Sequence, residues 1–251
     1  MLYKLFLSLI NELTVLNVFR YITFRIILAS LTSMVLWFVF GHKFIGLIKG
    51  FQIRQYVRED GPASHRQKAG TPTMGGIMVL ACAFVSCALW ADPGSRAVWL
   101  MWAVTLAYAL VGFRDDYLKV VNKRNLGLSG RRKLALQVAI GLLAGFYLYR
   151  APGFDPTLTV PGLKALAIDL GPFYALFAAL VLVSTSSAVN LTDGLDGLAI
   201  GPLIMAAGTY MVFAYCAGNS FIANYLQIPG VAGASEVAVV LASLIGAGLG
   251  F

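Results

Sequence analysis

Seven apolar stretches of 15 to 20 residues, separated by polar segments, constrain the fold of this chain more than any other feature. A helix that crosses a bilayer needs about 17–25 mostly apolar residues. Charged residues make up only 12% of the 251 residues, about half the share in soluble domains. We therefore predict an all-α, polytopic transmembrane helical bundle and exclude a soluble enzyme and a disordered chain. The predicted spans are roughly 21–40, 73–90, 97–113, 134–149, 173–189, 198–216 and 237–251.

The basic residues predict how these spans are oriented. Of the 19 Lys and Arg residues, six lie in segment 41–72 and seven in 114–133, whereas 190–197 has none. Because cytoplasmic loops are enriched in Lys and Arg, we predict that these three segments face the cytoplasm and that the N-terminus lies outside. The same loops account for the net charge of +8, so that charge does not indicate a nucleic-acid partner.

Two adjacent carboxylates, Asp115 and Asp116, directly follow an apolar run that ends at Phe113. Like charges at a membrane surface repel each other unless cations neutralise them. Mg²⁺ held together with substrate phosphates is one such partner, since it prefers oxygen ligands. A helix-terminal acid pair neutralised by Arg114 and Lys119 is the structural alternative.

A second acidic group lies in the segment Asn190-Leu-Thr-Asp193-Gly-Leu-Asp196-Gly, between two apolar stretches. The two Asp-Gly steps favour tight turns. A capped turn between helices would explain one acid, whereas two acids and Asn190 exceed that need. Upstream, the Gly-rich segment 61–76 carries Lys68 and leads into an apolar stretch, an arrangement that suits a phosphate or a basic turn.

These loops together favour phosphate chemistry between a charged cytosolic substrate and an acceptor in the bilayer. A transporter usually has its functional charges near the bilayer midplane. The sequence has no acidic residue in the middle of a predicted span, and Arg25, near the start of the first span, is the one charge within a span.

Four segments carry a family resemblance: SHRQKAGTPTMGG (64–76), FRDDYLKV (113–120), LSGRRK (128–133) and NLTDGLDGLA (190–199). With them the chain resembles, over essentially its whole length, the phospho-N-acetylmuramoyl-pentapeptide-transferases of the polyprenyl-phosphate N-acetylhexosamine-1-phosphate transferase superfamily. The Asp-Asp and NLTDGLDGLA signals are shared across the superfamily. The first segment is specific to the muramoyl-pentapeptide branch.

The resemblance implies a multi-pass enzyme of the bacterial inner membrane that transfers phospho-MurNAc-pentapeptide from UDP-MurNAc-pentapeptide to undecaprenyl phosphate. The products are lipid I and UMP, Mg²⁺ is required, and the reaction is the first membrane step of peptidoglycan synthesis. The family fold has ten membrane helices, and a homodimer is carried over with it. The physics agrees, because phosphoryl transfer mainly needs positioning and charge neutralisation.

The resemblance also assigns roles to residues. Asp115 and Asp116 would be catalytic acids and candidate metal ligands, and Asp115 would deprotonate or orient the lipid phosphate. The implied substrate-binding residues are Lys68, Thr73, Lys133, Asn190, Asp193 and Asp196.

The chain departs from the family pattern in one respect. The family's third catalytic aspartate, in a Gly-Asp motif, and a His-rich loop both lie beyond the region that matches residues 1–251. We therefore expect a single integral-membrane transferase domain over 1–251 that is incomplete at its C-terminus and inactive alone. The alternatives are a UDP-GlcNAc:polyprenyl-phosphate transferase and a non-catalytic transporter or scaffold, and one-step or two-step transfer stays open.

Overall fold

The structure, a computed structural model, describes residues 1–50, 75–121, 127–160, 163–192 and 198–251. The α-helices within these ranges are α1 Leu2–Ser8, α2 Ile22–Gly50, α3 Gly76–Trp90, α4 Arg96–Val121, α5 Gly130–Tyr149, α6 Tyr174–Thr192, α7 Ile200–Gly218, α8 Ser220–Leu226 and α9 Ala234–Gly250. Short 3-10 helices span Thr14–Arg20 and Gly171–Phe173. Two strands, β1 Thr157–Val160 and β2 Leu163–Asp169, pair antiparallel.

The prediction of an all-α polytopic bundle is confirmed, and each of the seven predicted spans coincides with one of the α-helices. In the part of the chain that the structure describes, four helical segments are long and apolar enough to cross a membrane: Ile22–Leu47, Arg96–Val121, Gly171–Thr192 and Ile200–Gly218. The helices α3 and α9 are apolar but shorter. The number of crossings and their orientation stay predictions.

The predicted loop boundaries are wrong in two ways. Segment 114–133 is not one loop, because α4 continues to Val121 and α5 begins at Gly130. The turn-rich segment 151–172, which we interpret from its sequence as an ordinary connector, contains both strands of the β-hairpin. Apolar periodicity marks where a helix can contact lipid, whereas a helix can continue past that point with polar side chains. Asp115 and Asp116 therefore lie on a helix.

Asp155 precedes the first strand of this hairpin and organises the turn into it. The hydroxyl and the backbone amide of Thr157 both donate to Asp155 Oδ1. These two hydrogen bonds stabilise the charged form and hold the pKa of the Asp155 carboxyl below its usual range. The hairpin thus begins at a polar turn that lies outside the long apolar helices.

The chain divides into two compact units, residues 1–101 with 194–251, and residues 102–193, and each is described by itself. In the first unit, α9 packs against α2, α3 and α7. Small residues make this possible: a Cβ added at Gly246 would lie 2.0 Å from the carbonyl oxygen of Ser30 in α2. Because Gly246 has no Cβ, the backbones of α2 and α9 can approach closely, as small residues allow in many membrane bundles.

A buried ion pair fixes one end of this first unit. Arg25 of α2 donates from Nη1 and Nη2 to the two carboxylate oxygens of Glu236 in α9, at 2.9 and 2.6 Å. Its Nη1 also donates to the Trp90 carbonyl at 3.1 Å, and its guanidinium lies 4.0 Å from the ring centroid of Tyr3. The backbone amide of Asp92 donates to Glu236. The start of α2, the end of α3 and the start of α9 therefore meet.

In the second unit, α5 and α6 form an antiparallel pair in close contact. The end of α4, the start of α5 and the end of α6 come together, and Asp115, Lys119 and Lys133 lie there. This end of the second unit carries the candidate site.

Candidate functional site

Asp115 lies at the centre of a charged cluster in the last two turns of α4. Lys119, one turn further along the helix, has its Nζ 2.8 Å from Asp115 Oδ2 and 3.1 Å from Asp116 Oδ1. Residues three and four apart share a helix face, so one lysine reaches both carboxylates. The helical continuation past Phe113 is what brings these three side chains together.

The helices α5 and α6 complete the cluster with one side chain each. Lys133, in the first turn of α5, has its Nζ 3.5 Å from Asp115 Oδ2. The same Nζ donates to Asn190 Oδ1 at 3.4 Å, from the last full turn of α6. Lys133 therefore joins α4 and α6 through its ammonium group.

The segment before α5 contacts the other oxygen of Asp115. The backbone N–H of Leu128 donates to Asp115 Oδ1 at 2.8 Å. Gly127 allows this approach, because a Cβ at that position would lie only 2.3 Å from the same oxygen. Both oxygens of Asp115 are thus held by the protein, one by an amide and one by two lysines, and the carboxylate is largely buried.

The carboxylate pair has the donor chemistry for a divalent cation. Oxygens of Asp115 and Asp116 already converge on one positive atom, the Lys119 Nζ. Mg²⁺ is usually bound by one or two carboxylates together with substrate phosphates and water. Within the described ranges no group of three His, Cys, Asp or Glu side chains comes together. The residues present therefore fit a magnesium ion that shares its coordination with a phosphate ligand.

Comparison with known proteins identifies the family of the chain. A family model described as glycosyl transferase family 4 matches residues 98–251, and a phospho-N-acetylmuramoyl-pentapeptide-transferase signature matches 68–80. The chain is 48% identical over 251 residues to the phospho-N-acetylmuramoyl-pentapeptide-transferase of Pelobacter propionicus. It is 46% identical to that of Syntrophus aciditrophicus over 251 residues and 50% to that of Desulfatibacillum aliphaticivorans over 252. Each comparison covers 100% of this chain and 70% of the relative.

The chain belongs to the phospho-N-acetylmuramoyl-pentapeptide-transferase family. The match to the family signature at 68–80 confirms the resemblance drawn from the segment 64–76. The site described above lies within the matched range 98–251. The charged cluster of α4, α5 and α6 therefore lies in the region that the glycosyl transferase family 4 model matches.

Four of the implied site residues of the transferase lie in the described part of the chain, and the structure brings all four together: Asp115, Asp116, Lys133 and Asn190. The other four, Lys68, Thr73, Asp193 and Asp196, lie outside the described residues. Of the two cations proposed to neutralise the acid pair, Lys119 does contact both acids. Lys133 supplies a second positive charge beside Asp115, in addition to the substrate-binding role that the resemblance implies for it.

Several residues at or beside the site were missed from the sequence. Gly127 contacts Asp115 directly, yet it lies in an unremarkable turn. Gln137 and Ser186 hydrogen-bond to each other one helical turn from Lys133 and Asn190. Gln137 could have been noticed as a lone amide in the apolar run 134–149. Ser186 lies in a Ser/Thr-rich stretch of α6 that offers no such signal.

Proposed function

We propose that this chain transfers phospho-MurNAc-pentapeptide from UDP-MurNAc-pentapeptide to undecaprenyl phosphate, releasing UMP and giving lipid I. The observation that carries the proposal is the cluster of two carboxylates and two lysines at the end of the α5–α6 pair, in a chain that belongs to the transferase family. A phosphate oxygen of the lipid forms a bond to the sugar-bearing phosphorus, and the bond from that phosphorus to UMP breaks.

The lysines bind the reacting phosphates in this proposal. Phosphoryl transfer spreads negative charge over the transferred group, and fixed positive charges stabilise it. Lys119 and Lys133 are held by Asp115 on one side. Because Lys119 remains partly exposed and three hydrogens extend from each ammonium, both lysines retain donors for a phosphate. Asn190 limits the motion of the Lys133 side chain.

Asp115 acts as a positioning group rather than as a base. A phosphate monoester has its second pKa near ~6, so the lipid phosphate is already mostly doubly charged at neutral pH. It therefore needs no deprotonation to attack. Both oxygens of Asp115 are occupied by Leu128 and the two lysines. The carboxylate thereby orients these donors toward the site.

Magnesium is part of the proposal, with Asp115 and Asp116 as the residues that would hold it. When bound, the ion neutralises the diphosphate and polarises the phosphorus–oxygen bond that breaks. Asp116 is the more accessible of the two carboxylates and contacts one lysine in the described structure. Its free surface makes it the residue through which a cation from solution reaches the pair.

The remaining assignments follow the same proposal. Lys68, Thr73, Asp193 and Asp196 would bind the nucleotide part of the substrate together with Asn190. The cluster would face the cytoplasm of the bacterial inner membrane, where a UDP-linked substrate is accessible, and the protein would act as a homodimer. The orientation is tested by replacing the exposed Arg131 with cysteine and adding a membrane-impermeant thiol reagent. We expect the reagent to label this cysteine in inverted vesicles but not in intact cells.

Turnover in membranes that contain the complete gene product tests the function. UDP-MurNAc-pentapeptide and undecaprenyl phosphate are supplied with Mg²⁺, and the lipid product is counted. Asp115→Asn and Lys133→Met should each lower kcat by about 100-fold, because each removes a fixed charge at the reacting phosphates. The matched controls are Asp169→Asn in the hairpin and Lys43→Met in the exposed part of α2.

The alternatives are separated by the same assay. Turnover of UDP-GlcNAc but not of UDP-MurNAc-pentapeptide would contradict the proposed substrate and favour the UDP-GlcNAc:polyprenyl-phosphate transferase. Asp115→Asn and Lys133→Met with full activity would overturn the catalytic assignment and favour a transporter or scaffold.

A further inference from the structure

A continuous seam joins α5 and α6 and leads to the charged cluster. A Cβ added at Gly141 would lie 2.7 Å from Ala179 Cα, and one at Gly145 would lie 2.7 Å from Ala175 Cα. Only hydrogen fits at either glycine, so the two backbones touch over this part of the pair. Small residues at i and i+4 allow close approach of helices.

The next position along the seam is polar. Gln137 is buried and lies one turn before Gly141, on the same face of α5. Its Nε2 donates to Ser186 Oγ of α6 at 3.0 Å. The Gln137 backbone carbonyl also accepts a hydrogen bond from the Tyr108 hydroxyl of α4 at 3.0 Å. This layer therefore joins all three helices that supply the cluster.

The charged contact follows one turn further. Lys133 precedes Gln137 by four residues and Asn190 follows Ser186 by four, so both pairs lie on the same two helix faces. Four contacts thus follow the seam toward the charged cluster: Gly145 with Ala175, Gly141 with Ala179, Gln137 with Ser186, and Lys133 with Asn190. Between the second and the third contact, α5 advances by four residues and α6 by seven, so the polar contacts lie beyond the part that the glycines hold close.

The hydrogen bond is the directional element of this seam. Sliding α5 by one residue would move its side chains by about 1.5 Å along the axis and turn them by roughly 100°. The Gly–Ala contacts oppose such a shift where they lie, because any other residue of α5 would bring a Cβ against the backbone of Ala175 or Ala179. A buried amide that loses its partner costs about 1–3 kcal/mol, which opposes the shift. Lys133 has long, weak contacts of 3.4 and 3.5 Å, so it cannot hold the register itself.

We propose that Gln137 and Ser186 are positioning residues for the transferase site: their hydrogen bond, braced by Tyr108, fixes the end of the α5–α6 pair next to the cluster and so holds Lys133 against Asp115 and Asn190. Neither residue touches substrate in this proposal. The assignment of a catalytic consequence depends on the proposed function, whereas the effect on Lys133 does not.

The first experiment measures the position of Lys133 without any turnover. Competitive acetylation of the purified protein in detergent, read by mass spectrometry, gives the reactivity of Lys133 relative to the exposed Lys43. Ser186→Ala and Gln137→Leu should raise that ratio at least threefold, because Lys133 leaves its partners. Thr185→Ala is the matched control, since the Thr185 hydroxyl donates to carbonyls of its own helix. An unchanged ratio in both variants would overturn the proposal.

The second experiment measures the consequence for transfer in the complete gene product. Ser186→Ala should lower kcat about tenfold with KM for the UDP substrate within twofold, since small misplacements cost rate more than binding. Ser186→Thr keeps the hydroxyl and should restore kcat. In a Lys133→Met background, Ser186→Ala should have no further effect. An additive loss there would overturn the route through Lys133, and absence of transfer in the parent would refute the proposed function instead.

Discussion

Replacing Gly127 by alanine should disable the site by a steric effect on Asp115. The added Cβ would lie 2.3 Å from Asp115 Oδ1, 2.7 Å from the Asp115 carbonyl oxygen and 2.9 Å from Cγ. Ordinary contact begins at 3.4 Å. The segment 127–129 must therefore move away from α4 by about 1 Å, because the helix backbone cannot yield.

The displacement breaks the hydrogen bond from Leu128 N–H to Asp115, which is 2.8 Å long. A hydrogen bond to a charged group contributes about 1.5–3 kcal/mol. If the transition state loses this stabilisation, the rate falls by roughly 10- to 150-fold. Because this segment leads directly into α5, Lys133 moves with it, and the loss in kcat should lie near the upper end.

The assay is turnover of UDP-MurNAc-pentapeptide in membranes, compared with the amount of folded protein. Gly130→Ala is the matched control, because a Cβ at Gly130 meets no atom within 4 Å. It should keep activity within about twofold of the parent. Equal activities of Gly127→Ala and Gly130→Ala would refute the argument that this close approach positions Asp115.

Three further predictions concern the first unit. Glu236→Gln should lower the free energy of unfolding in detergent by about 3–5 kcal/mol, because it leaves Arg25 charged and buried, whereas Lys4→Ala at an exposed residue should change it by less than ~0.5 kcal/mol. Gly246→Ala should lower the thermal midpoint by several degrees, since its Cβ would meet the Ser30 carbonyl at 2.0 Å; Gly208→Ala, with open space around it, should not. Asn219→Ala should destabilise α8 by roughly 1 kcal/mol, measured by faster amide exchange at Phe221 and Ile222, whose N–H groups bond to Asn219 Oδ1.

Hydropathy predicts helices well in this chain and their ends poorly. The apolar stretches 97–113 and 134–149 identified α4 and α5, because membrane helices must be apolar where they meet lipid. They did not show that α4 continues to Val121. That continuation decides the site, since it places Asp115, Asp116 and Lys119 on a common face.

Contacts between residues that lie far apart in the chain could not be predicted from the sequence. Lys133 was assigned to phosphate binding by resemblance, but nothing in the spacing showed that it also contacts Asp115. The sequence shows Arg25 as a lone charge near the start of the first predicted span, but it does not indicate its partner Glu236, 211 residues away. Pairing over such separations depends on helix packing, which one sequence does not encode in a local pattern.

The two charged clusters use the same chemistry, and their accessibility separates their roles. The side chains of Arg25 and Glu236 are 2% and 13% exposed, and both carboxylate oxygens of Glu236 accept from Arg25. A ligand that replaced either partner would leave the other as an unpaired buried charge. The Arg25–Glu236 pair therefore has a structural role and holds α2 and α9 together. In the second cluster Lys119 and Asp116 are 36% and 40% exposed, and two lysines balance two carboxylates. A phosphate can take over from a carboxylate there while each lysine stays paired. A charged pair that can exchange partners at low cost is suited to bind and release substrate, and this property supports assigning catalysis to the second cluster.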